Sequence, residues 1–331
     1  MQNASLTRRH ALLGATALLA ACATEAALPG PVVRPPGLEG EAFVMRDGAR
    51  LPFRAWLPPG KPEAVVLALH GFNDSRQAWD IPAPAFAAAG VALYAPDQRG
   101  FGAAPGRGLW PGADALADDA ADIAGLLRAH HPGTRLILMG ESMGGAVLMH
   151  MATRPGAPQP DGYLLLAPAV WGRARMNIFM RAGLWTASTL VPGMTVSRPP
   201  PTVRIIPSDN EDAIRQLVRN PLTIRETRFD TLRGLVDLMD AALAAAPLFS
   251  AQSLFLYGAK DMIVPPDATR ATWSRLTTGR RALYPTGYHL LFRDLGRATP
   301  IADAIAWIRD PAAPLPSNAE NAAVTWLADQ A

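Results

Sequence analysis

Ser142 stands in Gly140-Glu141-Ser142-Met143-Gly144, which fits G-x-S-x-G. A serine hydroxyl is a poor nucleophile near neutral pH. It becomes useful when a base lies within hydrogen-bond reach and a carboxylate orients that base. Where this motif sits on a strand-turn-helix elbow, the partners follow in the order Ser, acid, His. The chain has six histidines, and only His150 and His289 come after Ser142. His150 is more than two turns along the same helix and leads away from the elbow. His289 remains, just beyond a late strand. The acid that fits is Asp261 in LYGAKDMIVPP, at the end of an apolar strand and a glycine turn. Asp267 and the carboxylates further upstream have helical or exposed settings, where a solvated charge is the better reading. Asp261 would hold His289 in the tautomer whose free nitrogen takes the serine proton, and would then stabilise the imidazolium. The chemistry is acyl transfer through an acyl-Ser142 intermediate. Its oxyanion would be met by two backbone N–H groups, those of Met143 and Phe72. His70, which precedes the serine, reads as a residue that orients the Phe72 loop.

These positions need an elbow and a sheet edge. Leu136 to Met139 is an apolar run that stops at Gly140, and AVLMHMATR after the serine is helical in pattern. The turn is tight enough that a Cβ at Gly140 or Gly144 should collide with the serine backbone. Other buried-strand runs are Ala64 to Leu69, Val91 to Ala95, Tyr163 to Leu166, Ser253 to Tyr257 and Arg281 to Tyr284. Helical stretches lie between them: Pro84 to Ala89, Asp114 to His130, Thr269 to Leu276 and Ile301 to Ile308. Before them, EAFVM and LPFRAWL flank Arg46-Asp47-Gly48 as a hairpin. Such alternation implies an α/β fold with a mostly parallel central sheet and helices on both faces. Phe72, Gln98 and Ser142 fall at the strands' carboxyl ends, where ligands of such sheets collect. The alternation breaks from Trp171 to Pro247, where helix-like stretches (Met176 to Leu190, Asp209 to Val218, Asp230 to Ala246) surround Pro199-Pro200-Pro201. This reads as an inserted helical cap. Of its large apolar residues (Trp171, Met176, Ile178, Phe179, Met180, Leu184, Trp185, Leu190 and Met194), most should pack the cap onto the core and a few should line an acyl pocket. The expected organisation is an export signal in 1–21, a flexible tether in 22–40, the core in 41–170 and 248–310, the cap in 171–247 and a proline-containing tail in 311–331 with room for one short helix around Val324 to Leu327.

The 331 residues are 49% hydrophobic and 18% charged, with a net charge of +3 and no basic block, which argues against nucleic acid as a partner. No Gly-rich phosphate loop or H-E-x-x-H site appears, so neither cofactor nor metal is expected. The one cysteine, Cys22, excludes an internal disulfide. It follows Arg8-Arg9 and an apolar stretch, Ala11 to Ala21, too short to span a bilayer but suited to an export signal. Leu19-Ala20-Ala21-Cys22 resembles a bacterial lipobox. That resemblance implies lipid attachment at Cys22, and Ala23 after it implies sorting to the outer membrane on the periplasmic side. Thr7-Arg8-Arg9 is a loose match to a twin-arginine signal.

The set HGFNDS, YAPDQRGFG, GESMGG, LYGAKDMIVPP and GYHLLF resembles the monoacylglycerol lipase and lysophospholipase branch of the α/β-hydrolase superfamily, which is grouped with serine aminopeptidase-like sequences. The resemblance covers about Leu51 to Ile308. It implies an α/β-hydrolase fold and hydrolysis of carboxylic esters carrying one acyl chain. Gln98 departs from it, since the family usually has histidine in D-H-R-G-x-G. The alternatives are an aminopeptidase-like hydrolase or an acyltransferase on the same fold, or a non-catalytic binding protein. An aminopeptidase would need a carboxylate cluster for the substrate's ammonium, and the acids of the cap are interspersed with Arg.

Overall fold

The computed structural model describes residues 26–197 and 205–329. Cys22, the rest of the expected signal and Pro199-Pro200-Pro201 lie outside the described residues. A nine-stranded sheet forms the body. Its first part is antiparallel: β1 (Gly37–Glu39), β2 (Ala42–Val44) and β3 (Arg50–Trp56). The rest is parallel: β4 (Ala64–Leu69), β5 (Val91–Pro96), β6 (Arg135–Glu141), β7 (Gly162–Leu166), and later β10 (Ser253–Gly258) and β11 (Arg280–Tyr284). The order across the sheet is β1-β2-β3-β5-β4-β6-β7-β10-β11. Around it, in chain order, lie α1 (Ala83–Ala88), α2 (Ala113–His130), α3 (Met143–Ala152), α4 (Ile178–Leu190), α5 (Glu211–Arg219), α6 (Phe229–Ala245), α7 (Pro266–Trp273), α8 (Ala298–Arg309) and α9 (Ala319–Ala328).

The central strands are apolar throughout because both faces are covered. In β4 the alternation divides the residues cleanly. Val65, Leu67 and Leu69 join the core under α2, α3 and α6. Val66 and Ala68 join the opposite core with Trp79, Phe86 and Trp307. Side chains two residues apart share a face, so one uninterrupted run supplies both layers.

Between β7 and β10 the chain leaves the sheet as the cap: α4, α5 and α6, with a short ribbon of β8 (Thr195–Val196) and β9 (Thr227–Arg228). Its last helix is also core structure, since Leu238, Met239, Ala242 and Ala245 of α6 are buried with α3. The cap is not a loosely hinged flap. Asn73 Nδ2 donates to Thr227 Oγ1 at 2.6 Å, and the Leu290 N–H reaches Pro207 O at 2.9 Å. Among the described residues no helix is long and apolar enough to cross a membrane.

One expectation is corrected here and two are met in part. The segment read as a flexible tether is bound to the body from Ala26 onward: the Ala27 N–H meets Trp110 O at 3.1 Å, the Val33 N–H meets Arg46 O at 2.8 Å, and β1 pairs with β2. Its prolines hid a strand of three half-buried residues. The tail bears the helix expected around Val324 to Leu327, which is longer than expected (α9) and fixed by Arg280 Nε on Glu320 Oε1 at 2.7 Å and by Trp326 packed on Tyr257 and Trp273. In the cap, Met176 and Leu184 pack on the core and Trp171 lines the central cavity, as expected, but Ile178, Phe179, Trp185 and Met194 face solvent.

Candidate active site

Ser142 lies between the last residue of β6 and the first of α3, with φ 53° and ψ −114°. That backbone is costly for a residue with a Cβ, by about 1–3 kcal/mol, and persists only where the surroundings impose it. Here the Ser142 N–H is held by Leu166 O at 2.9 Å, and its carbonyl accepts from Ala169 N at 3.0 Å. The glycines are required, but for a different reason from a clash with the serine. A Cβ on Gly140 would strike the backbone of Gly144 and Gly145, and one on Gly144 would strike the Leu69 carbonyl of β4. They let the elbow close on itself and on the neighbouring strand.

Asp261 and His289 come from loops after β10 and β11, and adjacent parallel strands bring those loops together. Gly258 contacts the backbone of Gly287 so closely that a Cβ would not fit, and the Lys260 N–H bonds Gly287 O at 2.9 Å. His289 Nδ1 then meets Asp261 Oδ2 at 2.7 Å, with both residues buried. The other Asp261 oxygen accepts from the N–H groups of Ile263 and Val264 at 2.7 and 2.9 Å, which fixes the carboxylate plane. Burial pushes the imidazole's pKa down. The Asp261 carboxylate, with help from Glu141, more than reverses this, so the net shift is upward.

Ser142 and His289 line one cavity of about 510 Å³. The hydroxyl makes no direct hydrogen bond to the imidazole, and it has no partner among the described residues. Most of the remaining wall is apolar, including Trp171, Ile214, Leu217, Leu235 and Met239. Phe72 lies on the same wall. His70 explains how its N–H is aimed. Gln98 N–H donates to His70 Nε2 at 3.1 Å, so Nδ1 carries the proton and donates to Gly71 O at 2.8 Å. Carbonyl and N–H point opposite ways across a trans peptide, so anchoring Gly71 O turns the Phe72 N–H to the other side. Gln98, the departure from the family pattern, completes this by donating from Nε2 to His70 O at 2.8 Å. Met143 is fully buried as the first residue of α3, where the helix leaves its N–H groups unpaired and its dipole is positive.

Sequence reasoning missed the charge cluster beneath the serine. Arg293 Nη1 donates to Asp74 Oδ2 at 2.8 Å and Nη2 to Glu141 Oε1, all three side chains being buried. Burial pulls the guanidinium's pKa down, and the two carboxylates push it further up, so it stays charged. Four residues after His289, Arg293 looks like a surface cation, and nothing local marks partners so distant in sequence. A second, larger cavity of about 860 Å³ shares Asp74, Leu217 and Arg293 with the first but touches neither Ser142 nor His289. Among the described residues no group of His, Cys, Asp and Glu could hold a metal ion.

A family model described as serine aminopeptidase, S33, matches residues 60–296, which span the elbow, the cap and both late loops. The chain belongs to that family. The chain is 25% identical over 282 residues to a monoacylglycerol lipase of Mycolicibacterium smegmatis, covering 81% of this chain and 95% of the relative. It is 24% identical to the monoglyceride lipase of Mus musculus, over 78% of this chain and 85% of the relative. Among solved structures, the Paleococcus ferrophilus monoacylglycerol lipase superposes with a TM-score of 0.66 at 23% identity, over 78% of this chain and 98% of that one. A soluble variant of the Saccharomyces cerevisiae monoglyceride lipase, in complex with a substrate analog, superposes with a TM-score of 0.68 at 19% identity, over 85% and 97%. The S33 chain therefore has the α/β-hydrolase fold expected from its motifs.

Proposed function

We propose that this S33-family chain hydrolyses carboxylic esters of monoacyl lipids, of the monoacylglycerol or lysophospholipid type, with Ser142, Asp261 and His289 as its catalytic triad. The observation that carries the reading is the buried Asp261–His289 pair at the wall of an apolar cavity that Ser142 shares. Nε2 of His289 takes the Ser142 proton as Oγ attacks the ester carbonyl. The N–H groups of Phe72 and Met143 receive the oxyanion. Collapse expels the alcohol, protonated by the imidazolium. Water, deprotonated by His289, then releases the fatty acid and regenerates the serine. No step calls for a metal or cofactor. With another alcohol in place of water the same intermediate gives acyl transfer.

The family's peptidase name favours one rival, an aminopeptidase. Against it, the carboxylates of Asp74 and Glu141 at the cavity are both committed to Arg293, which leaves them poorly placed to take a substrate ammonium. The deciding experiment is a substrate panel of monoacyl esters and aminoacyl amides with purified protein, alongside fluorophosphonate labelling. Ester turnover and a labelled Ser142 are expected. Preference for the amides would replace the ester reading, and a folded protein with an unlabelled Ser142 would favour a binding role. The chain is further proposed to be exported and lipid-anchored to the cell envelope through Cys22. Intact mass should show an acylated N-terminal cysteine, and a mature chain beginning elsewhere would refute it.

A further inference from the structure

Asp294 is a buried carboxylate that belongs neither to the proposed triad nor to the Arg293 cluster, and among the described residues it makes no ion pair. Burial pushes its pKa up to about 6, against the pull of the hydrogen bonds from Ser208 and Tyr288. A buried charge is costly unless hydrogen bonds compensate it, and here both oxygens are engaged. Oδ2 accepts from the Tyr288 N–H at 2.7 Å. The same peptide unit offers its other end, Gly287 O, to the Lys260 N–H at 2.9 Å, in the loop that carries Asp261. N–H and C=O point opposite ways across a trans peptide, so this one plane, just ahead of His289, is fixed from both sides. A tight turn brings Asp294 back to it, with the Arg293 and Asp294 N–H groups both on Leu290 O at 2.7 and 3.1 Å.

The other oxygen, Oδ1, accepts from Ser208 Oγ of the cap at 2.6 Å. Three more bonds join the same two stretches. The Leu290 N–H meets Pro207 O at 2.9 Å, the Leu295 N–H meets Asp209 Oδ1 at 2.8 Å, and Asn210 Nδ2 donates to Arg293 O at 2.8 Å. Asn210 also caps α5, its Oδ1 accepting from the Ala213 N–H at 3.3 Å. Ile205, Pro207 and, from α5, Ile214, Leu217 and Val218 wall the cavity that Ser142 and His289 share. That wall and the His289 loop are thus one hydrogen-bonded unit, with Asp294 at the join. We propose that Asp294 is a positioning residue for the reaction: it aligns His289 through the Gly287–Tyr288 peptide and ties that alignment to the seated cap through Ser208. The imidazole then meets the Ser142 hydroxyl productively only with segment 207–210 in place. This rests on the triad reading of Ser142, Asp261 and His289.

The test compares three variants of the full chain. Asp294→Ala removes both bonds, Asp294→Asn keeps an acceptor for the Tyr288 N–H, and Ser208→Ala severs the bond to the cap alone. Turnover of a soluble short-chain ester is read per active site, with sites counted by fluorophosphonate titration. Asp294→Ala should lower kcat per labelled site by about 10–100-fold, the scale of loss from a base displaced by an ångström, and change KM less than about twofold. Asp294→Asn should recover most of that loss, and Ser208→Ala should lose about 3–10-fold in kcat with KM equally indifferent. The low-field proton NMR signal of His289 Nδ1–H, identified by its absence from His289→Gln, should move or broaden in Asp294→Ala and Ser208→Ala. A loss that appears only as fewer labelled sites, or an Asn variant no better than the Ala one, overturns the proposal. Should Asp294→Ala fail to fold, Ser208→Ala decides, and an unchanged kcat with an unchanged imidazole signal overturns it. The NMR reading needs no turnover. A moved signal in a chain that hydrolyses no ester would remove the ester reading and leave the positioning role, whereas ester turnover at wild-type kcat in Asp294→Ala would do the reverse.

Discussion

Arg293→Met isolates the cost of the buried charge cluster. The substitution keeps most of the side-chain volume but leaves Asp74 and Glu141 facing each other without a counter-charge. Removing one partner from a buried ion pair costs about 3–5 kcal/mol, because the abandoned charge stays desolvated. A domain's whole stability is roughly 5–15 kcal/mol, so the loss should be conspicuous. Urea unfolding followed by tryptophan fluorescence reads it directly. With a slope near 3 kcal/mol per molar, the midpoint should fall by about 1 M or more. A companion variant, Arg293→Met with Glu141→Gln and Asp74→Asn, removes all three charges and should recover most of the loss. If Arg293→Met falls by less than about 1 kcal/mol, or the neutral triple variant is no more stable than it, the cluster is not the electrostatic unit described.

Four further outcomes follow from the site. The neutral imidazole is the working base, so the acid limb of kcat/KM on a soluble ester should lie above the ~6.5 of an unperturbed histidine. Glu141→Gln removes one upward influence on His289 and leaves Arg293 less compensated, so that limb should move to lower pH; an unmoved or raised limb contradicts the electrostatics. Ser142→Gly should abolish turnover yet stabilise the fold by about 1 kcal/mol in urea unfolding, because glycine accepts the backbone angles that serine resists. Asp261→Asn should keep the fold, checked by circular dichroism, and lower kcat by about 10⁴-fold through loss of the correct imidazole tautomer.

The parallel strands were legible because burial on both faces leaves unbroken apolar runs with glycine or proline at their ends. The proposed site residues stood out for a related reason, since each lies where such a run stops. What stayed hidden was decided by long-range pairing. β1 has three residues among prolines, and only its register on β2 makes it a strand. Arg293 is an ordinary cation until folding brings Asp74 and Glu141 to it. The role of Gln98 is likewise unreadable without the His70 ring beside it. In the cap, helix positions could be read, but apolar residues alone do not reveal which side meets the core. Of the large side chains of α4, Leu184 packs on the core while Ile178, Phe179 and Trp185 turned outward, whereas Leu217 of α5 and Leu235 and Met239 of α6 line the cavity.

The last strand, β11, is hydrogen-bonded to β10 on one side and, among the described residues, has no strand on the other. A bare row of peptide groups there would invite a second copy to add itself to the sheet. The C-terminal segment obstructs that: α9 packs against β11, and Arg280 Nη1 donates to Ala313 O at 2.7 Å while its other nitrogens hold Glu320. Shortening the chain to end near Arg309 would therefore do more than trim an appendage. It would convert a capped border into an adhesive one, and such a truncation should betray itself as concentration-dependent self-association.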